Sequence, residues 1–284
     1  MRFHGAKRTV MVLALALLGQ TGMARAGDAP NAMTVPHPPA ALAGGYLSPA
    51  NLPDSVMLLP PAPAPRSAAE RRDKEASNIG QSLKGSARWE VAQFDADLFS
   101  PASTTAFSCA AGIEISQQTT PATFKLLRRM AMDMAMTTMA AKRKFSRPRP
   151  FMVNGKPSCT PKDEPMLRQD GSYPSGHSAI GYGWGLMLAE LVPARASQLV
   201  SRGSAFGDSR RICNVHWLFD VEQGRMAAAA TFARLHADPG FRADVDAARA
   251  ELAGIEASGT APAPSRDCAK EAAALAEVAT PPSR

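Results

Sequence analysis

Three short segments hold residues that could handle an anion and attack it. Lys142 is followed, after six residues, by Arg149-Pro150. Pro174-Ser175-Gly176-His177 forms the second segment. In the third, Ser209-Arg210 is followed after five residues by His216 and after three more by Asp220. Guanidinium groups bind phosphate oxygens in pairs, whereas an ammonium acts as a point charge. Lys142, Arg149 and Arg210 together would cage a phosphate, although each alone reads as a solvated surface charge, Lys142-Arg143-Lys144 above all.

Ser175-Gly176-His177 lies between a proline-rich loop and an apolar run. Serine is a favoured N-cap. The first turn of a helix offers unpaired N–H groups and partial positive charge, which together attract anions. Gly176 lacks a Cβ, so an anion could come close to its backbone. The same residues also read as an ordinary serine cap beside a surface histidine. The spacing of His216 and Asp220 places both on one face if a helix is continuous there. A carboxylate on one imidazole nitrogen fixes the tautomer and frees the other nitrogen to attack. A purely structural His–Asp pair is the competing reading. Arg210 and His216 are six apart and would diverge on one helix, so a break is expected near Asn214.

The elements that must position these segments read as helices. Polar and apolar residues alternate with helical period over Ser67–Leu83, Trp89–Leu98 and a long segment opened by Thr120-Pro121 and running to Lys142. Further helices are expected over Gly176–Leu191, Ala194–Cys213, Asp220–Ala237 and Pro239–Ala257. The Met130, Met134 and Met139 stripe is expected to be core packing. Phe145 to Tyr173 contains five prolines and reads as a long loop, of a length that is often functional. No convincing alternating strand is present. The expected fold is all-α, a compact single-domain helical bundle over residues 66–257.

Residues 1–26 have a basic start, the apolar run Val10–Leu18 and the small-x-small site Ala24-Arg25-Ala26. This is the pattern of a secretory signal, and cleavage is expected after Ala26, with export to the periplasm. The apolar run is shorter than the ~20 residues of a membrane span. Cleavage would remove four basic residues and no acidic one, lowering the formal charge of +7 to +3. So small a charge gives no case for a nucleic-acid polymer as partner. Residues 27–65 are rich in Pro, Ala and Gly and read as an extended arm; 258–284 share that bias and read as a loose tail. Cys109, Cys159, Cys213 and Cys268 suggest disulfides in an exported protein, with three connectivities open. No C-x-x-C pair points to zinc, and no metal or cofactor is expected.

Together, in this order and at these spacings, the three segments resemble the tripartite signature of the class A bacterial non-specific acid phosphatases. That family shares a superfamily with type 2 phosphatidic acid phosphatases and vanadium haloperoxidases. The signature residues show no departure, and the likeness extends from about Tyr46 to Ala253 through YLSPANLPDS, LLPPAPA, SCTPKDE, GSYPSGH and SRRICNVHW. The tail after Ser258 has no counterpart. The resemblance implies a metal-independent phosphomonoesterase with His216 as the nucleophile that becomes phosphohistidine. Asp220 would orient it, His177 would serve as general acid and then base, and Lys142, Arg149, Ser175, Gly176 and Arg210 would hold the phosphoryl oxygens. The implied partners are small-molecule phosphomonoesters, with no membrane span and with homo-oligomer formation left open. A lipid phosphatase, a vanadate-dependent peroxidase and a non-catalytic periplasmic phosphate-binding protein are the alternatives. The last would leave the pairing of His177 with His216 unexplained.

Overall fold

A computed structural model describes residues 44–277, and the proposed signal segment and residues 27–43 lie outside it. Among the described residues there are eight helices of eight or more residues and no strand. They are α1 (Ala68–Ser82), α2 (Ala87–Phe94), α3 (Pro121–Phe145), α4 (Gly176–Leu191), α5 (Ala196–Ile212), α6 (Leu218–Leu235), α7 (Pro239–Ser258) and α8 (Cys268–Ala276). No helix among them is long and apolar enough to cross a membrane.

The helix ends follow from local chemistry. Ser67 caps α1 by accepting from the Glu70 N–H at 3.1 Å, and the Glu70 carboxylate reaches back to the Arg66 N–H. Pro121 opens α3, where its missing N–H costs nothing. α3 stops at Ser146, which adopts a left-handed conformation with φ 41°. The expected break after Arg210 is present as well. α5 ends at Ile212, Asn214 turns the chain with φ 63°, and the N–H groups of Val215 and His216 both donate to the Arg210 carbonyl.

α3, α4, α5, α6 and α7 enclose the main core. Leu126, Leu127, Met130 and Met134 of α3 meet Ile180, Trp184 and Leu188 of α4, Phe206 of α5 and Phe241 of α7, all buried. Burying each such side chain contributes about 1.5–3 kcal/mol. Met130 and Met134 are thus core residues, and Trp184 satisfies its buried N–H on the Leu127 carbonyl at 2.7 Å. The backbones of α4 and α5 come very close. A Cβ on Gly203 would stand 2.7 Å from the Gly181 carbonyl oxygen, so only glycine fits there. This close approach sets the N-terminus of α4 beside the C-terminal half of α5.

Two expectations about the periphery change. The loop over 145–173 carries short helical turns at Pro150–Asn154 and Glu164–Leu167, and Phe151 anchors it in a second apolar cluster with Trp89, Ile212 and Val215. The end of the chain is not a loose tail as far as residue 277. Its Ala-rich stretch forms α8, capped by Asp267 and joined to the body through the Cys109–Cys268 disulfide. Alanine has the highest intrinsic helix propensity, so the composition is as compatible with a docked helix as with a loose end. The second disulfide, Cys159–Cys213, ties the 145–173 loop to the end of α5. The described part of the arm is fastened too: the N–H groups of Tyr46 and Leu47 donate to Asp133, and Arg129 stacks over the Tyr46 ring at 3.8 Å.

Candidate active site

The structure brings all eight signature residues together. Lys142 comes from the last turn of α3 and Arg149 from the loop that follows. Ser175, Gly176 and His177 form the N-terminus of α4. Arg210 lies near the end of α5, His216 in the link to α6, and Asp220 in the first turn of α6. Segments two and three are stitched directly: the Ser175 N–H donates to the Asp220 carbonyl at 2.9 Å. Gly224 permits the fit, since a Cβ there would stand 2.4 Å from the Ser175 carbonyl oxygen.

Ser175 is the N-cap of α4; its hydroxyl accepts from the Ser178 N–H and hydroxyl at 3.2 and 2.9 Å. At Gly176 the protein itself imposes no crowding: a Cβ would meet only the Thr138 hydroxyl, at 3.7 Å. The space over this backbone is therefore left open to a ligand.

Hydrogen-bond roles define both imidazoles. Arg149 Nη1 lies 3.1 Å from His216 Nε2. A guanidinium only donates, so Nε2 carries the lone pair and Nδ1 the proton. His177 Nε2 lies 3.0 Å from the Ala96 carbonyl oxygen. A carbonyl only accepts, so here Nε2 carries the proton and Nδ1 is the nitrogen left for other work. His216 is almost fully buried, whereas His177 is partly exposed. With Arg210 it lines a cavity of about 290 Å³ whose other walls include Asp97, Phe99, Asp163 and Met166.

The relation of His216 to Asp220 differs from the expectation of one shared helix face. α6 begins only at Leu218, so His216 precedes the helix, while Asp220 sits in its first turn. The Asp220 carboxylate accepts the Trp217 N–H at 2.9 Å and Arg147 Nη1 at 2.6 Å. His216 Nδ1 stands 3.6 Å from Asp220 Oδ2, beyond ordinary hydrogen-bond length, and the backbone of Ser172 also faces the ring.

The cations are buried, and burial shapes their charge. Lys142 pairs with Asp170 at 3.0 Å and also donates to the Gly171 carbonyl; burial, only partly offset by Asp170, pushes its pKa down to about 8. Its neighbours Arg143 and Lys144 are exposed, so the basic run splits into one site residue and two surface residues. Arg149 donates to the carbonyls of Leu167 and Val215 and pairs with Asp170 at 3.3 Å. Arg210 is different: its Nε and Nη1 are buried without a partner, and burial with Arg149 nearby pushes its pKa down to about 10. A buried guanidinium with free donors is costly unless an anion completes it. His216 is held well below the ordinary imidazole range by burial, then by Arg149 and Lys142. His177 is held there by burial, then by Arg210.

Several contributors escaped the sequence reading. Asp170 neutralises Lys142 and Arg149, and Arg147 bridges Asp220 to the buried Asp73 of α1 at 2.6 and 2.7 Å. Arg147 lies two residues before Arg149 in a run of alternating Arg and Pro, the one local hint of its role. Asp73 and Asp170 carried no signal in their surroundings. Among the described residues, no three of His, Cys, Asp and Glu gather as metal ligands would.

Comparison with known proteins identifies the family of the chain. A family model for the PAP2 superfamily matches residues 122–243, a span that includes every signature residue. The non-specific acid phosphatase of Salmonella typhimurium is 41% identical over 208 residues, covering 73% of this chain and 83% of the relative. The acid phosphatase of Zymomonas mobilis subsp. mobilis is 39% identical over 199 residues, covering 70% and 75%. The non-specific acid phosphatase of Providencia stuartii is 38% identical over 212 residues, covering 74% and 86%. The chain belongs to the PAP2 superfamily and, within it, to the class A bacterial non-specific acid phosphatases. It is thus a phosphoric monoester hydrolase.

Proposed function

We propose that the protein is an exported acid phosphatase of broad specificity that works through a phosphohistidine on His216, without a metal. The observation that carries this reading is the His216 Nε2 lone pair, buried among Lys142, Arg149 and Arg210 beside the N-terminus of α4. Phosphoryl transfer needs positioned positive charge on the equatorial oxygens and an in-line nucleophile. The free donors of Arg210 and the open backbone at Gly176 supply the first, and Nε2 supplies the second.

In the first step Nε2 bonds to phosphorus as the bond from phosphorus to the ester oxygen breaks. His177 Nδ1 gives that oxygen its proton. Arg149 turns its Nη1 from Nε2 to a phosphoryl oxygen. In the second step water attacks phosphorus, His177 takes the water proton, and the bond from Nε2 to phosphorus breaks, releasing phosphate. Asp220, held by Arg147 and the Trp217 N–H, faces the Nδ1 side of His216 and favours the tautomer with Nε2 free.

Because the counter-charge comes from side chains, dialysis of the active protein against EDTA is expected to leave the hydrolysis of p-nitrophenyl phosphate nearly intact. Orthovanadate should inhibit it as a mimic of the pentacoordinate state. Activity lost to the chelator and restored by zinc or magnesium would overturn the metal-free reading. Absence of any turnover would favour a phosphate-binding protein instead.

Export rests on the basic, apolar and small-residue pattern of residues 1–26. Mass spectrometry of the protein from its native periplasm is expected to find Gly27 as the first residue. A cytoplasmic protein that retains Met1 or the leader would contradict it.

A further inference from the structure

The C-terminal helix α8 reaches the catalytic cage through a line of buried charge. Glu271 of α8, 5% exposed, accepts from Arg202 Nε at 3.1 Å and from Arg266 Nε at 2.7 Å. Arg202, on α5, turns both of its Nη groups to Asp95, at 3.1 and 2.6 Å. Asp95 takes a third donor, the Ser209 hydroxyl, at 2.6 Å, and Arg88 Nη1 donates to that hydroxyl at 3.0 Å.

This line ends at two groups of the site. Ser209 immediately precedes Arg210, the guanidinium whose Nε and Nη1 have no partner, and Asp95 is the foremost anion stabilising the Arg210 charge. Asp95 also forms the C-cap of α2, and the next carbonyl, that of Ala96, holds His177 Nε2 at 3.0 Å. One buried carboxylate therefore sits behind both the phosphate ligand and the imidazole on the leaving-group side. A mere anchor for α8 could be built from apolar side chains at no loss of stability, since buried ion pairs rarely outdo them. The disulfide Cys109–Cys268 already ties the helix down.

We propose that α8 is a working part of the phosphatase site, with Glu271 a positioning residue that acts through Arg202 and Asp95 on Arg210 and on the Ala96 carbonyl beneath His177. This inference rests on the reading of His177 as the leaving-group acid. Without the Glu271 charge, Arg202 is balanced by Asp95 alone. Asp95 then shifts toward Arg202, and the Ser209–Arg210 turn and the Ala96 carbonyl shift with it. Small displacements of positioning groups far from the chemistry can cost up to about a hundredfold in rate.

The test is Glu271→Gln in the full chain with both disulfides intact, assayed on p-nitrophenyl phosphate and on glycerol 2-phosphate, whose alkoxide leaving group needs a proton. The kcat for glycerol 2-phosphate is expected to fall roughly ten- to a hundredfold, that for p-nitrophenyl phosphate to fall much less, and KM to change little. A folded variant with a lower Tm but both kcat values unchanged would show that α8 is only an anchor, and would overturn the proposal. Should Glu271→Gln fail to fold, Arg266→Gln removes one partner of Glu271 at the partly exposed end, and the same two kcat values decide. His177→Ala is run beside them. Equal losses on both esters in that variant would defeat the general-acid reading and this inference with it. Unequal losses there, with none in Glu271→Gln, would defeat the inference alone.

Discussion

His216→Ala is expected to abolish turnover, with kcat falling by roughly four orders of magnitude or more, the scale on which loss of a nucleophile acts. The other imidazole of the site, His177, keeps its Nε2 on the Ala96 carbonyl and so does not present that nitrogen in place of the lost one. The wild-type protein, mixed rapidly with a labelled phosphomonoester and quenched in alkali, should carry label on the chain. Phosphoramidates survive base and are cleaved by acid, so stability in alkali and loss in acid separates phosphohistidine from a phosphoserine or an acyl phosphate. Peptide mapping should place the label on the fragment containing His216. Normal activity with no covalent label under burst conditions would mean direct attack by water, and the mechanism would be wrong. The low proton affinity of His216 supports its part. Burial, Arg149 and Lys142 keep the imidazole well below its ordinary range, so Nε2 remains free to attack in acid solution where an exposed imidazole would be protonated.

His177→Ala is expected to act selectively. For alkyl phosphates, whose leaving oxygen must be protonated, kcat should fall by about 10²–10⁴-fold, the usual worth of a general acid. For p-nitrophenyl phosphate, whose leaving group is stable as an anion, the loss should be far smaller. The sign of the pH dependence follows from the free protein. Burial and then Arg210 depress the proton affinity of His177, so the protonated acid is plentiful only below the ordinary imidazole range. The wild-type kcat/KM for an alkyl ester should therefore fall as pH rises through that lowered value, placing the optimum on the acid side. A bound phosphoryl dianion opposes the cations and strengthens the hold on the proton. The alkaline limb of kcat should accordingly lie at higher pH than the limb of kcat/KM. Profiles over about pH 4 to 9, on both sides of the ~6.5 of free imidazole, in wild type and variant and with both ester types, make the comparison. Equal losses for good and poor leaving groups would remove His177 from the role of acid and leave His216 untouched.

What could be read in the chain before folding was local. The Ser175 cap, the open first turn at Gly176, the run of helix from Gly176 to Leu191 and the break at Asn214 are all decided within a few residues by capping, by the absence of a Cβ and by the chemistry of turns. The three signature segments were legible for the same reason, since each is a short run whose residue types have few other uses in combination. Tertiary structure decided what lies behind them. Asp170 beneath Lys142, Asp73 behind Arg147, and Glu271 behind Arg202 and Asp95 are ordinary acidic residues in their own surroundings. They acquire a role only when packing brings them against cations far away in the chain and withdraws both from water. The displacement of His216 from the helix that holds Asp220 was likewise invisible, because a spacing of four gives one face only where the helix is continuous. The Ala-rich end illustrates the same limit. Its composition suits a helix or a loose strand of chain equally well, and the disulfide to Cys109 and the buried carboxylate of Glu271 choose between them.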